Sequence, residues 1–288
     1  MTSHDLLAAR RAAFAVAYRM LGSVEDAEDV AQDVVARIDR VDEEVHNAEA
    51  WATTAATRRS IDVLRSARVQ REAYVGPWLP EPLLEDPGPG PAARAELADS
   101  LSQALLVALE RPTPVERAAF LLREVFDYDY ARIAEIVDRT EPTTRQLVAR
   151  AKKHVAAGRP RFDADDAARE RLFGRFLDAV DGGDLAGLEA MLAEDVVFYG
   201  DGGGVVKAAL RPVAGPPDVA RLLVHTTAYR RKIGIDVASE RVRVNGQPGQ
   251  LLRSGDGSVF AVMTADVVDG RIVAIRMVRN PRKLAHLA

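Results

Sequence analysis

The segment Ile133-Ala-Glu-Ile-Val-Asp-Arg-Thr-Glu-Pro-Thr-Thr-Arg-Gln-Leu-Val-Ala-Arg-Ala-Lys-Lys153 decides how the N-terminal half of the chain folds. Ile133 and Ile136 predict a short helix with one apolar face, and the turn Asp138–Glu141 follows it. A second helix is predicted from Pro142 to Val155, because its apolar residues also recur at helical spacing. A helix, a short turn and a second helix are typical of a helix-turn-helix motif.

The predicted second helix carries positive charge on the face opposite its apolar residues. Residues 142–161 hold six Lys or Arg residues and no Asp or Glu. The second helix of a helix-turn-helix lies in the major groove, where Arg suits guanine, Gln suits adenine and Lys suits phosphates. The candidate DNA contacts are therefore Thr143, Arg145, Gln146, Arg150, Lys152 and Lys153. The alternative is a solvated basic face on a surface helix.

Residues 5–75 also show helical spacing, interrupted at Gly22, with a third helix predicted from about Ala48 to Ala67. The net charge is −8 over residues 25–49 and +4 over residues 58–71. This separation of sign predicts an acidic docking surface followed by a basic one. The candidate nucleic-acid contacts on the basic helix are Trp51, Arg58, Arg59, Arg65 and Arg68. The alternatives are a salt-bridged exposed face for the arginines and a core position for Trp51.

A proline-rich stretch separates this region from the helix-turn-helix. Residues 76–91 contain six Pro and three Gly, which excludes a helix and predicts an extended linker. Trp78, Leu79, Leu83 and Leu84 are unusually apolar for a passive linker. We therefore divide the chain into a helical domain at 1–75, a linker at 76–94, a helix-turn-helix domain at 95–158 and a C-terminal domain at 159–288.

The C-terminal domain is predicted to begin with helices and to continue as a sheet. Helical spacing covers Ala167–Val180 and Leu185–Leu192, and strand patterns follow. Asp269-Gly270 between two apolar runs is a strong hairpin signal. The expected architecture is α+β, with helices followed by a curved antiparallel sheet.

Composition excludes several classes of protein. The chain has 288 residues, 48% hydrophobic and 28% charged, which is typical of globular domains. It contains no cysteine, which excludes disulfides, cysteine nucleophiles and thiolate metal sites. No apolar run is long enough for a membrane span, and the N-terminus lacks the pattern of a signal peptide. We expect a cytoplasmic protein that needs no metal or cofactor.

Longer stretches of the sequence resemble a known family. Phe14-Ala-Val-Ala-Tyr-Arg-Met-Leu-Gly-Ser-Val-Glu-Asp-Ala-Glu-Asp-Val-Ala-Gln-Asp33 resembles region two of extracytoplasmic-function sigma factors, and Ile61-Asp-Val-Leu-Arg-Ser-Ala-Arg68 resembles its promoter-melting part. Pro114-Val-Glu-Arg-Ala-Ala-Phe-Leu-Leu-Arg-Glu-Val-Phe126 and Thr144-Arg-Gln-Leu-Val-Ala-Arg-Ala-Lys152 resemble region four. The resemblance implies two all-α sigma domains that direct RNA polymerase to promoters, with no catalytic activity of their own.

The same resemblance implies macromolecular partners. Region two of such factors binds the clamp helices of the polymerase β′ subunit, region four contacts the β flap, and both regions contact promoter DNA, including its melted strand. The residues implied to bind polymerase are Asp26, Glu28, Asp29, Gln32 and Asp33. The basic helix after them would face the promoter.

Three further signatures resemble the SigJ-like subgroup: Tyr74-Val-Gly-Pro-Trp-Leu-Pro-Glu-Pro82, Asp201-Gly-Gly-Gly204 and Asn280-Pro-Arg-Lys-Leu284. The C-terminal domain of this subgroup is a SnoaL-like, ketosteroid-isomerase-like α+β cone. This fused domain implies regulation without a separate anti-sigma factor. The implied regulatory residues are Trp78, Leu79, Pro80, Asp201, Gly202, Gly203, Gly204, Lys207, Asn280, Pro281, Lys283 and Leu284. Val205 follows the triple glycine where the subgroup has Lys, so Lys207 is expected to supply that charge from the same side of a strand. We expect the linker segment 76–84 to dock near these residues, because its apolar side chains need a partner.

Two other functions remain open from the sequence. The chain is alternatively a free-standing helix-turn-helix regulator whose cone senses a small ligand. It is also compatible with a SnoaL-type enzyme, with Asp201, His225 and Asp266 as candidate acid-base groups. Only fold analogy supports the enzyme, because no spacing pairs these three residues.

Overall fold

The computed structural model describes residues 3–38, 40, 45–84, 101–156 and 165–288, and the side chains of 3–4 and 67–72 lie outside this description. The chain divides into two compact units. The first contains residues 1–73 and 104–159, and the second contains residues 74–103 and 160–288. The two predicted helical domains therefore form one unit, and the described part of the linker belongs to the C-terminal unit. In the described ranges, no helix is long and apolar enough to cross a membrane.

The first part of the first unit consists of three helices, α1 (Ser3–Leu21), α2 (Val24–Ile38) and α3 (Ala48–Glu72). Gly22 ends α1 with a φ of 67°, a conformation that glycine adopts without steric cost. The Ser23 hydroxyl then accepts a hydrogen bond from the Asp26 amide at 3.2 Å and caps α2. The predicted break at Gly22 is confirmed. The third helix extends five residues beyond its predicted end at Ala67.

The second part of this unit contains the helix-turn-helix. Its helices are α4 (Gln103–Ala108), α5 (Pro114–Glu124), α6 (Tyr130–Val137) and α7 (Glu141–Ala156). Thr113 and Glu116 form a complete capping box before α5. Asp138 ends α6 with a φ of 54°, which turns the chain into α7. The predicted helix-turn-helix is confirmed.

The second unit is an α+β domain, as predicted. Its elements are α8 (Asp166–Gly182), α9 (Leu185–Met191), β1 (Leu192–Asp201), β2 (Val213–Ala214), α10 (Pro216–Lys232), β3 (Val237–Val244), β4 (Gln247–Ser254), β5 (Val259–Val268), β6 (Arg271–Val278) and α11 (Pro281–Leu284), before a final 3-10 turn, Ala285–Leu287. The strands form one sheet in the order β2-β1-β6-β5-β4-β3. Asp269 and Gly270 both have positive φ and connect β5 to β6 as the predicted hairpin.

Helices α8, α9 and α10 pack on one face of this sheet. The core contains Phe173 and Phe176 from α8, Leu188 from α9 and Val219 from α10, against Ile275 from β6. The alternating positions of β5 therefore divide between this core and the opposite face, where Thr264 and Asp266 lie. All of these residues are buried.

One expectation for this unit is corrected, and two of its elements were not predicted. The sheet is not wholly antiparallel, because β1 pairs with β6 in parallel. The helix α10 was not predicted, since it buries only Val219, Ala220 and Leu223 and so has a weak apolar pattern. Strand β4 was also missed, because Gly249 and the polar Gln247 and Gln250 interrupt its strand pattern.

Candidate functional sites

Helix α7 presents its basic residues on an exposed face. Thr144, Leu147, Val148, Ala151 and Val155 are buried. The predicted contacts Arg145, Gln146, Arg150, Lys152 and Lys153 are exposed, and Thr143 is half-buried. The helix therefore separates its packing face from its basic face, which is the arrangement required of a helix that enters a DNA groove.

Ion pairs hold several of these side chains, and in one of them the carboxylate, that of Glu116, is buried. Arg145 pairs with Glu141 at 2.5 Å, Arg150 with Glu116 at 3.0 Å and Lys152 with Glu124 at 2.9 Å. Burial alone would raise the pKa of Glu116, but hydrogen bonds from Thr113 and the charge of Arg150 outweigh it and lower this pKa. Exposed pairs of this kind contribute about 0–1 kcal/mol each. Arg145 and Lys152 can therefore exchange these carboxylates for other anionic partners at little cost, whereas Arg150 would leave a buried carboxylate behind.

Tyr130, which the sequence analysis did not single out, contacts Arg145 of helix α7. The guanidinium carbon of Arg145 is 4.2 Å from the ring centroid of Tyr130, and that of Arg123 is 5.1 Å from the same centroid. A guanidinium stacked on a ring uses its face and leaves its N–H edges available. Tyr130 and Glu141 thus orient Arg145 without consuming all of its donors. Glu141 and Arg145 are four residues apart in α7, and this spacing was the sequence signal that could have predicted their ion pair.

The basic residues of α3 are engaged within their own unit. Arg58 donates from Nε to the Ile136 carbonyl and from Nη2 to the Glu135 carbonyl, both at 3.0 Å. These carbonyls belong to the last turn of α6, whose negative dipole end favours a cation. Arg59 pairs with Asp33 at 3.4 Å.

The remaining α3 candidates have separate positions. Arg65 pairs with Asp62 at 3.3 Å on the same helix. Trp51 is half-buried, which fits neither a full core position nor a free stacking platform. The side chain of Arg68 lies outside the described part of the chain.

The acidic helix α2 separates buried apolar residues from its carboxylates. Val24, Ala27, Val30, Ala31, Val34 and Ile38 are buried. Asp29, Gln32 and Asp33 are exposed, while Asp26 and Glu28 are half-buried. Glu28 pairs with Arg10 at 2.5 Å. The candidate polymerase-binding residues therefore share the outer face of one helix.

In the second unit, Asp201 is the centre of a buried polar cluster. The Tyr74 hydroxyl donates to Asp201 Oδ1 at 2.5 Å, and the Leu79 amide donates to Oδ2 at 2.9 Å. Lys283 Nζ lies 2.7 Å from Oδ2 and also donates to the Leu79 carbonyl. Asn280 Nδ2 donates to the Tyr74 hydroxyl at 2.9 Å. We call Tyr74, Leu79, Asp201, Asn280 and Lys283 the Asp201 cluster.

Aromatic rings enclose the lysine of this cluster. Lys283 Nζ lies 4.2 Å from the ring centroid of Trp78 and 4.8 Å from that of Tyr74. Cation–π attraction in such a desolvated position contributes about 2 kcal/mol. Burial and the hydrogen bond to Asp201 together raise the pKa of Tyr74 well above its usual value. The tyrosine is therefore held neutral beside the carboxylate.

Two glycines that follow Asp201 leave room for the residues packed against them. A Cβ on Gly203 would lie 2.2 Å from Asn280 Nδ2, and one on Gly204 would lie 3.1 Å from Val75 Cβ. Both glycines also have positive φ, at 58° and 72°. A side chain at either position would displace the neighbouring residue, Asn280 or Val75, and would strain the backbone.

Further contacts continue along the linker to Leu84. Leu83 exchanges hydrogen bonds with Asn245, which sequence reasoning missed, at 2.9 and 3.1 Å. His286 Nε2 lies 2.8 Å from the Pro82 carbonyl. Leu79, Pro80 and Leu284 are buried, and Gly202 is buried beside Asp201. Segment 76–84 therefore contacts the Asp201 cluster and the C-terminal tail, as expected from the sequence.

The expectation for Lys207 was wrong. Residues 202–207 form a turn and not a strand, so spacing by two does not place side chains on one side. Lys207 is exposed, and its carbonyl accepts a hydrogen bond from Arg279 Nη1 at 2.6 Å. The charge beside Asp201 comes from Lys283. Pro281 is exposed at the first position of α11, and Arg282 is exposed beside it.

The three candidate acid-base groups have separate environments. Asp201 is committed to Lys283 and the linker. Asp266 is buried and pairs with Arg276, whose guanidinium carbon lies 5.8 Å from the Tyr199 ring centroid. His225 is exposed on α10. These groups do not form a shared catalytic arrangement.

Comparisons with known proteins agree with this architecture. A family model described as Sigma-70 region 2 matches residues 7–69, and one described as Sigma-70, region 4 matches residues 102–155. The chain is 36% identical over 291 residues to the ECF RNA polymerase sigma factor SigJ of Mycobacterium tuberculosis, covering 98% of this chain and 93% of that protein. It belongs to the sigma-70 class of transcription factors, in the family of ECF RNA polymerase sigma factors.

The solved structure of this relative and one further relative support the family assignment. The crystal structure of SigJ from Mycobacterium tuberculosis matches with a TM-score of 0.78 and 31% identity, over 97% of each chain. The probable ECF sigma factor SigI of the same species is 29% identical, over 99% of this chain and 97% of that protein. The likeness thus extends through the C-terminal domain as well as the two sigma regions.

Proposed function

We propose that this ECF sigma factor directs core RNA polymerase to specific promoters and is regulated by contact between its linker and its own C-terminal domain. The Asp201 cluster carries the proposal. A carboxylate with no exposed surface accepts hydrogen bonds from the linker and an ion pair from the C-terminal tail. Such a site is too costly to leave unpaired, so the linker is firmly held when it is in place.

The exposed face of α7 is the proposed reader of the upstream promoter element. Arg145 and Gln146 have the donors and acceptors that distinguish guanine and adenine in the major groove. Lys152 and Lys153 contribute charge that suits phosphates, with Arg150 and Thr143 beside them. These roles predict base-specific effects for the first pair and uniform, salt-dependent effects for the lysines.

Helix α3 is the proposed contact with the downstream element and its melted strand. Arg59 and Arg65 form only exposed pairs, which exchange readily for phosphates. Trp51 has a partly exposed ring suited to base stacking, and Arg68 extends the basic run. Arg58 must first leave the carbonyls of α6 before it contacts DNA.

The outer face of α2 is the proposed polymerase contact. Asp26, Glu28, Asp29, Gln32 and Asp33 offer a mainly acidic surface to the basic clamp helices of β′, and the helix-turn-helix domain would contact the β flap. Charge complementarity of this kind raises association rates and favours the correct partner. We expect Asp29→Lys to weaken binding to core RNA polymerase. We expect Arg37→Gln, on the same helix, to leave this binding unchanged.

The proposed regulation acts through the reach of the linker. The linker joins the two DNA-reading regions, and an extended segment spans about 3.1 Å per residue. When residues 76–84 are bound to the C-terminal domain, about 28 Å of extended chain is no longer free to separate the two DNA-reading regions. Polymerase binding requires that reach, so the linker contact opposes it without any separate anti-sigma protein.

Transcription with purified components tests this proposal. Core polymerase at limiting concentration is combined with wild-type chain, Lys283→Met or the matched control Lys207→Met, on a promoter selected from a random library. Lys283→Met should increase initiation, and Lys207→Met should not, because that lysine is exposed. Unchanged initiation by Lys283→Met, despite faster hydrogen exchange at the Leu79 amide, would exclude the linker contact as the regulatory element.

A further inference from the structure

Two arginines of the second unit share one aromatic ring. Arg230 belongs to α10, Arg279 follows β6, and Phe260 lies on β5. The guanidinium carbons of Arg230 and Arg279 are 5.9 and 4.3 Å from the centroid of the Phe260 ring. Three separate elements thus bring two positive charges to the same place.

Neither arginine has a carboxylate partner within 4.0 Å among the described residues. Arg279 donates one hydrogen bond, from Nη1 to the Lys207 carbonyl, and the Nε atoms of Arg230 and Arg279 are both buried without a partner. The neighbouring Arg231 is different, because it pairs with Asp181 at 3.1 Å. Asp181, one of the two carboxylates whose charge acts on Arg230, is therefore already engaged, and the other is Asp236.

The electrostatics agree with this geometry. Burial lowers the pKa of Arg230, Arg231 lowers it further, and the charges of Asp181 and Asp236 compensate only in part. Burial also lowers the pKa of Arg279, and the charge of Arg230 lowers it further. Two desolvated like charges that repel each other favour an anion between them.

We infer that Arg230 and Arg279 form a binding site for a small molecule that carries a phosphoryl or carboxylate group. Guanidinium groups match such oxyanions with parallel N–H donors. The contact with Phe260 uses the guanidinium groups without consuming their N–H donors, and within the described residues only Nη1 of Arg279 is already bonded, to the Lys207 carbonyl. The arginines would then hold the anion from two sides.

The site is connected to the Asp201 cluster through the backbone. The amides of Arg279 and Asn280 both donate to the Asp201 carbonyl, at 2.7 and 3.0 Å. An anion that fixes Arg279 therefore also favours the position of Asn280 in the cluster. This coupling rests on the proposed function and makes the linker contact responsive to a ligand.

Binding is tested on the full chain by titration calorimetry with inorganic pyrophosphate and with citrate, each against sodium chloride of equal ionic strength. We expect binding at one site, weakened about 10- to 100-fold by Arg230→Gln or Arg279→Gln, the loss expected for charge-assisted hydrogen bonds. The matched control is Arg221→Gln, because Arg221 is exposed on the same helix and paired with Asp218. The preferred probe distinguishes a phosphoryl ligand from a carboxylate.

Equal weakening by Arg221→Gln, or an equal response to chloride, would show general electrostatic screening and would overturn the proposed site.

The coupling to the Asp201 cluster has its own measurement, which is hydrogen exchange at the Leu79 amide. If the anion binds only the docked state, exchange slows about tenfold at ten times the dissociation constant. Anion binding without slower exchange overturns the coupling alone. Absence of binding overturns the site, whereas the transcription assay of Lys283→Met judges the proposed function separately.

Discussion

Two ion pairs of similar length have opposite uses in this molecule. Asp201 and Lys283 are 2.7 Å apart, and their side chains are 0% and 8% exposed. Arg145 and Glu141 are 2.5 Å apart, but their side chains are 57% and 42% exposed. Distance therefore does not distinguish them, whereas burial and the number of partners do. The buried pair holds one arrangement, and the exposed pair leaves its arginine free to change partner.

The largest effect is expected at the buried pair. Lys283→Met leaves Asp201 buried without its cation, which costs about 3–5 kcal/mol. Hydrogen exchange at the Leu79 amide should then accelerate about 100-fold or more, because 1.4 kcal/mol corresponds to a factor of ten.

A double variant sharpens this test. Asp201→Asn combined with Lys283→Met removes both charges and should recover much of the protection, since a buried pair can be replaced at little net cost. If Lys283→Met leaves the exchange rate within twofold of the wild type, the buried pair does not hold the linker.

Arg58 is an intermediate case, because it is exposed but bonded to backbone carbonyls. Arg58→Met should lose about 1.5–3 kcal/mol of stabilisation at the end of α6, the range for hydrogen bonds that involve a charged group. Hydrogen exchange at the Arg139 amide, which donates to the Ala134 carbonyl, measures this loss. Arg65→Met is the control, since its partner lies on the same helix. Equal changes in both variants would contradict a specific role of Arg58.

The exposed pair should affect recognition more than stability. Arg145→Ala is expected to lose about 1–3 kcal/mol of discrimination at one base position. Tyr130→Leu should lose a smaller share, about 0.5–1 kcal/mol, at the same position, because it removes only the cation–π contact. Tyr130→Phe keeps the ring and should behave as wild type. Binding to promoters substituted at each upstream position provides the measurement, and a uniform loss at all positions would refute this orientation of α7.

The smallest effect concerns pH. The pKa of Tyr74 is raised in the folded chain, so its contribution is fully present below the unfolded pKa of about 10 and is lost as pH rises above it. Thermal unfolding between pH 9 and 11 should therefore show a steeper loss of stability in wild type than in Tyr74→Phe. Parallel pH profiles would mean that the Tyr74 proton does not stabilise the cluster.

The sequence predicted the helix-turn-helix well because its signals are local. The capping box at Thr113 and the apolar spacing of Ile133 and Ile136 each depend on residues within one or two turns. The separation of buried Leu147 from exposed Arg145 follows from the same periodicity. These features need no knowledge of distant parts of the chain.

The Asp201 cluster was predictable in part. Family resemblance identified Leu79, Asp201 and Lys283 as a group, but not the contacts that join them. Lys207 was misplaced because a turn with two left-handed glycines replaced the expected strand. The partners of Arg58 lie 77 and 78 residues away, and charge alone does not reveal a distant carbonyl.

The linker and Asp201 belong to the same polypeptide, and this has a consequence for concentration. Two groups on one chain meet at an effective concentration that the chain sets, in the millimolar range for short flexible connections. Dilution of the protein does not reduce the occupancy of such a contact, whereas it dissociates a complex of two molecules. Under the proposed regulation, the balance between the docked linker and polymerase binding therefore depends on how much free core polymerase is present. Doubling the amount of this sigma factor doubles its docked and undocked forms together.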